Sequence, residues 1–229
     1  MTDRKLIPNP QSLIPAVREA LKGGVKAIQL REKDLNTRAL LKLAYKMREL
    51  TKKYKAKLFI NDRLDIALAV KADGIHLAQN SIPADAVKKA VRAVRFTLNT
   101  QHQIPPHPPL TKGGWGDFYV SRFLIGVSTH SLKEAKEAEK AGADFITFGP
   151  VYRTTSKLKY GAPLGIDKLI HITRKVHIPV FAIGGVKSNR IEELRKAGAY
   201  GVAMISEIFR TEDIKGKAGE IVNKLSKDF

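Results

Sequence analysis

The residues best able to do chemistry fall in short clusters, each placed just after an apolar run. QLREK at Gln29 to Lys33 follows Ala27-Ile28, Asn61-Asp62 follows the run ending at Ile60, and Ser128-Thr129-His130 follows Val127. Gly149 to Lys157 follows Phe148, Gly184-Gly185 follows Ile183, and Ser206 follows Ile205. Successive side chains of an extended segment alternate faces, so Gln29, Arg31 and Lys33 share one side. An amide and two cations there suit a polyphosphate or a polar heterocycle, although a solvated charged loop has the same composition. Asp62 beside Asn61 offers one carboxylate to Mg²⁺, an ion that commonly takes its other oxygens from substrate phosphate. Gly184 and Gly185, with Ser206, fit a turn whose backbone N–H groups hold phosphate, or a tight turn alone. Thr154, Thr155, Ser156 and Lys157 supply the hydroxyls and the cation of a loop that closes over phosphate. His76 and His130 stand at strand ends, where a histidine either packs or moves a proton. There is no HExxH or GxSxG, and with zero cysteines no thiol nucleophile or thiolate metal site.

These clusters recur because the elements beneath them recur. Short apolar strands are expected at Ala27 to Leu30, Lys57 to Ile60, Gly74 to Leu77, Phe123 to Val127, Asp144 to Phe148, Pro179 to Ile183 and Tyr200 to Ile205. Helical spacing follows each: Thr37 to Tyr54, Leu64 to Val70, Ala84 to Val94, Ser131 to Ala141, Ile166 to Lys175, Asn189 to Ala197, then a C-terminal helix. Near-continuous apolar strands alternating with amphipathic helices predict a parallel sheet covered by helices. The phrases KADG, AGAD and AGAY before strands read as helix C-caps turning into the next strand. Uniform βα units without an opening GxGxxG predict an α/β fold of the TIM (β/α)8 type, one domain over 1–229.

Two features break the pattern. The helix at Gln11 to Leu21 has no strand before it, and Met1 to Arg4 reads as the polar exit of a first strand whose body is missing or truncated. The strand edges flanking that gap are then expected to be unpaired. The stretch at about 97–120, with four prolines between Pro105 and Pro109 and the sequence GGWG, reads as an insertion in an αβ connection. Such a connection leaves the barrel at the end away from the chemistry.

With 41 Lys and Arg against 22 Asp and Glu, the formal charge is +19, which attracts nucleic acid, anionic lipid or phosphorylated metabolites. The basic residues are spread along the chain and aromatics are 7%, which disfavours nucleic acid, and a non-catalytic phosphate- or nucleic-acid-binding barrel is the minor alternative. No apolar run reaches the length of a membrane span and no signal-peptide core is present, so a cytoplasmic protein is expected.

In order along the chain, TDR at Thr2 to Arg4, QLREK, NDRLDIA at Asn61 to Ala67, DGIHLAQ at Asp73 to Gln79, GVSTH at Gly126 to His130, FGPVYRTTSK at Phe148 to Lys157, IPVFAIGGV at Ile178 to Val186 and GVAMIS at Gly201 to Ser206 resemble the thiamine-phosphate synthase family and its TenI-like thiazole tautomerase relatives. The resemblance implies a transferase that joins a pyrimidine pyrophosphate to a thiazole phosphate with Mg²⁺, releasing pyrophosphate and forming thiamine phosphate. It implies that Gln29, Arg31, Lys33, Asn61 and Lys157 hold the pyrimidine and its pyrophosphate, and that Asp62 ligates the metal. Ser128 would lie near the pyrimidine, Thr154 and Ser156 near the thiazole phosphate, and Gly185 with Ile205 and Ser206 would donate to that phosphate. The catalytic candidates are Lys157, Ser128 and, in the tautomerase branch, His130. Two positions depart from the synthase pattern: Ser81 replaces the usual second metal-binding Asp, and Arg153 replaces the usual Pro. Ser81 leans toward the tautomerase, while the retained Gln29, Lys33 and Asp62 favour the synthase. The partners expected are the two phosphorylated substrates, with room for a homo-oligomer.

Overall fold

A computed structural model describes residues 1–7, 12–100, 123–154 and 162–226; for 95–100 only the backbone is considered. Seven parallel strands form one sheet in sequential order: β1 Ala27–Leu30, β2 Lys57–Asn61, β3 Gly74–Leu77, β4 Leu124–Thr129, β5 Phe145–Phe148, β6 Val180–Ile183 and β7 Gly201–Ala203. The helices are α1 Leu13–Lys22, α2 Thr37–Lys53, α3 Leu64–Ala69, α4 Ala84–Thr100, α5 Leu132–Lys140, α6 Ile166–Thr173, α7 Ile191–Lys196, α8 Ser206–Phe209 and α9 Ile214–Ser226. The last strand is shorter than expected. Helix α4 continues to Thr100, so the expected insertion at about 97–120 begins with four residues of helix; residues 101–122 lie outside the described chain.

Alternation along each strand divides the core. Outward residues such as Leu58, Ile60, Ile75, Ile125, Ile146 and Ala182 are buried beneath the helices. The inward faces carry a lower layer in which large and small residues sit side by side. Phe59 is paired with Gly74, Phe145 with Gly126, and Phe181 with Gly201 in the strand register. A Cβ on Gly74 would come within 2.8 Å of the Phe59 ring, and one on Gly201 within 2.8 Å of Phe181. Phe59 and Phe145 meet edge to face at 5.2 Å between centroids, and Phe145 meets Phe181 at 5.4 Å. Strands β2 and β5 are not neighbours, so the Phe59–Phe145 contact crosses the interior: the sheet is curled around a packed centre, as a barrel is.

The KADG and AGAD phrases do more than cap helices. Lys71, Gly142 and Gly198 take positive φ, as the cap reading requires. The following aspartates also tie strands together. Asp73 accepts from the Leu58 N–H at 2.8 Å and from Arg48 at 2.5 Å, and Asp144 accepts from the Ile125 N–H at 2.8 Å.

The gap expected for the missing strand is real among the described residues, since β1 and β7 do not pair with each other. Thr2 is buried; its N–H donates to the Gln29 carbonyl at 2.8 Å, its hydroxyl accepts from the Arg31 N–H at 3.0 Å, and the Met1 nitrogen donates to the Met204 carbonyl at 3.2 Å. Residues 1 and 2 therefore span both edges at the C-terminal mouth. Outside the gap α1 meets α9 closely: a Cβ on Gly23 would lie 2.6 Å from that of Ala218.

Candidate active site

Above the aromatic layer the inward positions become polar: Gln29 on β1, Asn61 on β2, His76 on β3, Ser128 on β4 and Thr147 on β5. Two of the loop clusters join here, with the Ala78–Ser81 turn, into one run. Gln29 Nε2 donates to Asn61 Oδ1 at 3.0 Å, and Asn61 Nδ2 donates to Asp62 Oδ2 at 2.8 Å. Asp62 Oδ1 accepts from the Ala78 N–H at 2.8 Å and from the Ser81 hydroxyl. Asp62 itself takes φ 58°, a left-handed conformation that non-glycine residues seldom adopt, and its N–H is anchored on the His76 carbonyl at 3.0 Å. The strained turn aims its carboxylate back into the mouth. Arg31 is half-buried at the rim and Lys33 is exposed, while Glu32 between them is buried and accepts from the Arg4 N–H at 3.1 Å.

Beneath this run lies a floor of which sequence reading named His76 and Ser128 but not Thr147. His76 Nε2 is 3.2 Å from Thr147 Oγ1, which in turn is 3.5 Å from Ser128 Oγ. Burial pushes His76 down to about 4, so the ring is neutral near pH 7. The signal for Thr147 was a hydroxyl inside the otherwise apolar run FITF, a residue that must find a partner when buried.

His130 is fixed from two sides. Its N–H donates to Glu134 Oε2 at 2.7 Å, and Ser131 caps α5 by accepting from the Glu134 N–H at 3.2 Å. Its Nδ1 lies against the Gly149 carbonyl. A carbonyl only accepts, so Nδ1 carries the hydrogen and Nε2 is left as the basic nitrogen.

On the opposite side of the mouth the chain offers backbone. Gly184 and Gly185 take φ of 91° and 65°. Their lack of a side chain has a packing reason as well. A Cβ on Gly184 would lie 2.6 Å from Pro150 Cα, and one on Gly185 2.5 Å from the Arg153 carbonyl and 2.8 Å from Tyr152 Cβ. The glycines make room for the stem of the next loop. That stem is bonded to β6 and to itself: Val151 N–H to Ile183 O at 2.9 Å, Tyr152 N–H to Gly184 O at 3.0 Å, and Leu164 N–H to Pro150 O at 2.8 Å. Thr154 is half-buried at its end; Ser156 and Lys157 lie outside the described residues. Ile205 is the N-cap of the four-residue helix α8 and Ser206 its first residue. A cleft of about 610 Å³ at the other end of the strands, lined by Pro179, Arg195 and Tyr200, includes none of these residues.

The family model for thiamine monophosphate synthase matches residues 1–103 and 118–208. The chain belongs to the thiamine monophosphate synthase family. A chain of Geobacter sulfurreducens whose name assigns it provisionally as a thiamine-phosphate synthase is 45% identical over 208 residues, covering 91% of this chain and 84% of its own. The thiamine-phosphate synthase of Clostridium novyi is 37% identical over 223 residues, covering 97% and 95%. Thiamine phosphate pyrophosphorylase from Pyrococcus furiosus superposes with a TM-score of 0.78 at 34% identity, covering 99% of this chain and 93% of that one. The thiamine monophosphate synthase family match contains every candidate site residue and skips 104–117, inside the expected insertion. No helix among the described residues is long and apolar enough to cross a membrane.

Proposed function

We propose that the chain is a thiamine-phosphate synthase, a transferase that joins the methylene carbon of a hydroxymethylpyrimidine pyrophosphate to the ring nitrogen of a thiazole phosphate and releases pyrophosphate. The observation that carries the reading is the continuous run from Gln29 through Asn61 to Asp62, beside Arg31 and Lys33. Such a run supports a polar heterocycle on its amides and a leaving polyphosphate on its cations. The aminopyrimidine itself stabilises the methylene cation formed when pyrophosphate departs, so no protein nucleophile is needed. The protein's part is to hold the two reactants in line and to neutralise the leaving group. Ser128, over the His76–Thr147 floor, would face the pyrimidine. Thr154, Ser156, Gly184, Gly185, Ile205 and Ser206 would hold the thiazole phosphate, with Lys157 on the pyrophosphate.

Asp62 fits Mg²⁺ through a single oxygen. A carboxylate has about four acceptor positions, and Asn61, Ala78 and Ser81 occupy three of them, leaving one on Oδ2. No group of three His, Cys, Asp or Glu side chains that could hold a metal occurs among the described residues, so substrate oxygens would complete the shell. When bound, the ion neutralises charge on the departing pyrophosphate. A cytoplasmic setting accords with the zero cysteine count.

The test is incubation with both phosphorylated halves and Mg²⁺, with thiamine phosphate as the product sought; a metal-replete, folded protein that forms none would overturn the reading. The tautomerase has one observation in its favour, the basic Nε2 that the Gly149 contact leaves on His130. Metal-independent isomerisation of the thiazole carboxylate phosphate, lost by about a hundredfold in His130→Ala, would promote it.

A further inference from the structure

We propose that Tyr152 is a positioning residue that locks the loop stem at 150–154 to the phosphate-holding turn, making the enzyme selective for the phosphorylated thiazole. The inference rests on the synthase reading's placement of phosphate at Gly184-Gly185. Tyr152 of the stem reaches both structures framing the turn. Its N–H donates to the Gly184 carbonyl at 3.0 Å, and its Cβ occupies the space that a side chain at 185 would need. Its hydroxyl donates to Glu193 Oε2 on α7 at 2.8 Å. The Arg190 guanidinium lies 4.3 Å over its ring, and Arg190 Nη1 is 3.5 Å from the same Glu193 oxygen. Turn, stem and helix are thus joined through one residue, whose ring packs on the core of β5, β6 and their helices. Burial and the Glu193 bond push the phenol up to about 12, so the hydroxyl keeps its proton, and its bond, throughout the working pH range.

The physical consequence is preorganisation. A turn made of two glycines at positive φ has many alternatives open to it, and binding an anion there costs the entropy of choosing one. With the stem fixed against it, the turn is already in place before phosphate arrives. Tyr152 touches no reacting atom in this account, so its loss should act on binding of the phosphate end and spare the chemical step.

The experiment measures steady-state coupling with thiazole phosphate and with the unphosphorylated thiazole alcohol, together with calorimetric binding of thiazole phosphate. Tyr152→Phe removes only the hydroxyl. It should raise KM and Kd for thiazole phosphate about five- to tenfold, leave kcat and the pyrimidine pyrophosphate KM within twofold, and leave kcat/KM for the alcohol unchanged. Glu193→Leu, which removes the acceptor from the other side, should reproduce that pattern, and Glu193→Gln, which keeps one, should restore most of the affinity. Equal losses with the phosphate and the alcohol, or unaltered phosphate binding in both Tyr152→Phe and Glu193→Leu, would overturn the inference while leaving the synthase reading intact. Absence of coupling and of thiazole phosphate binding in the unaltered protein would sink both.

Discussion

Across the mouth of the barrel, the β1–β3 side presents side chains bonded into one run, whereas the β6–β7 side presents glycine backbone braced by a neighbouring loop stem. The first is a chemical surface: changing one group alters what is held while the strands stay in place. The second is a geometric one, in which any side chain at all displaces the structure that makes the site. Ligand preference on the β1–β3 side is therefore open to gradual tuning, and on the β6–β7 side it is close to all or nothing.

The largest effect should come from Asp62→Ala. It removes the acceptor for the Asn61 amide, the Ala78 N–H and the Ser81 hydroxyl together, and the carboxylate oxygen open to Mg²⁺ with them. Thiamine phosphate formation should fall by about a thousandfold, in the range seen when preorganised charge is lost from a site. A drop of only a few-fold would put the weight of the site on the β6–β7 side.

The floor beneath the Gln29–Asp62 run should show itself in stability. His76 titrates near 4 when folded and near its ordinary 6.5 when unfolded, because burial disfavours the charged ring. The unfolded chain therefore gains a proton first, and this contribution to stability is full above about pH 6.5 and lost progressively as pH falls toward 4, by up to about 3 kcal/mol. Denaturant unfolding of His76→Gln should show less loss between pH 7 and pH 5 than the unaltered protein.

Gly185→Ala tests whether the β6–β7 side is geometric. One methyl group should raise the thiazole phosphate Kd about tenfold, or 1.4 kcal/mol, and Gly185→Val should do little worse, because the Cβ alone meets the Arg153 carbonyl at 2.5 Å. A graded series from Gly through Ala to Val would show instead that side-chain bulk facing the ligand is what matters. The smallest effect expected is in Ser81→Asp, which replaces a donor to Asp62 with a second carboxylate. Apparent Mg²⁺ affinity should tighten several-fold, while the melting temperature without Mg²⁺ falls because two like charges face each other.

The strands were legible because parallel strands buried on both faces leave continuous apolar runs, and their polar exits marked the end of the barrel at which Gln29, Asn61 and Asp62 come together. The positions of Gln29, Asn61, Asp62 and Ser128 followed from that alone. The end of α4 was not legible: no Gly or Asn directly follows Val94, and the helix runs on to Thr100. The purpose of Gly184 and Gly185 was hidden for a different reason. A glycine signals that some neighbour comes close, but which neighbour is a tertiary fact, and here it is the stem at 150–153. The left-handed Asp62 and the reach of Tyr152 to Glu193 belong to the same class, since both depend on what the fold brings alongside.

The side-by-side phenylalanines and glycines under the site carry an implication for how this sequence can change. Each pair fills one volume between two strands, so the residues of a pair are not independent variables. Enlarging Gly126 alone would press a methyl group into the Phe145 ring, and shrinking Phe145 alone would leave a hole beneath His76. Made together, the two changes largely cancel, so their combined cost should be well below the sum of the separate ones. Drift in this interior therefore proceeds by compensated exchanges across adjacent strands, and a relative with a larger residue at one member of a pair should carry a smaller one at the other.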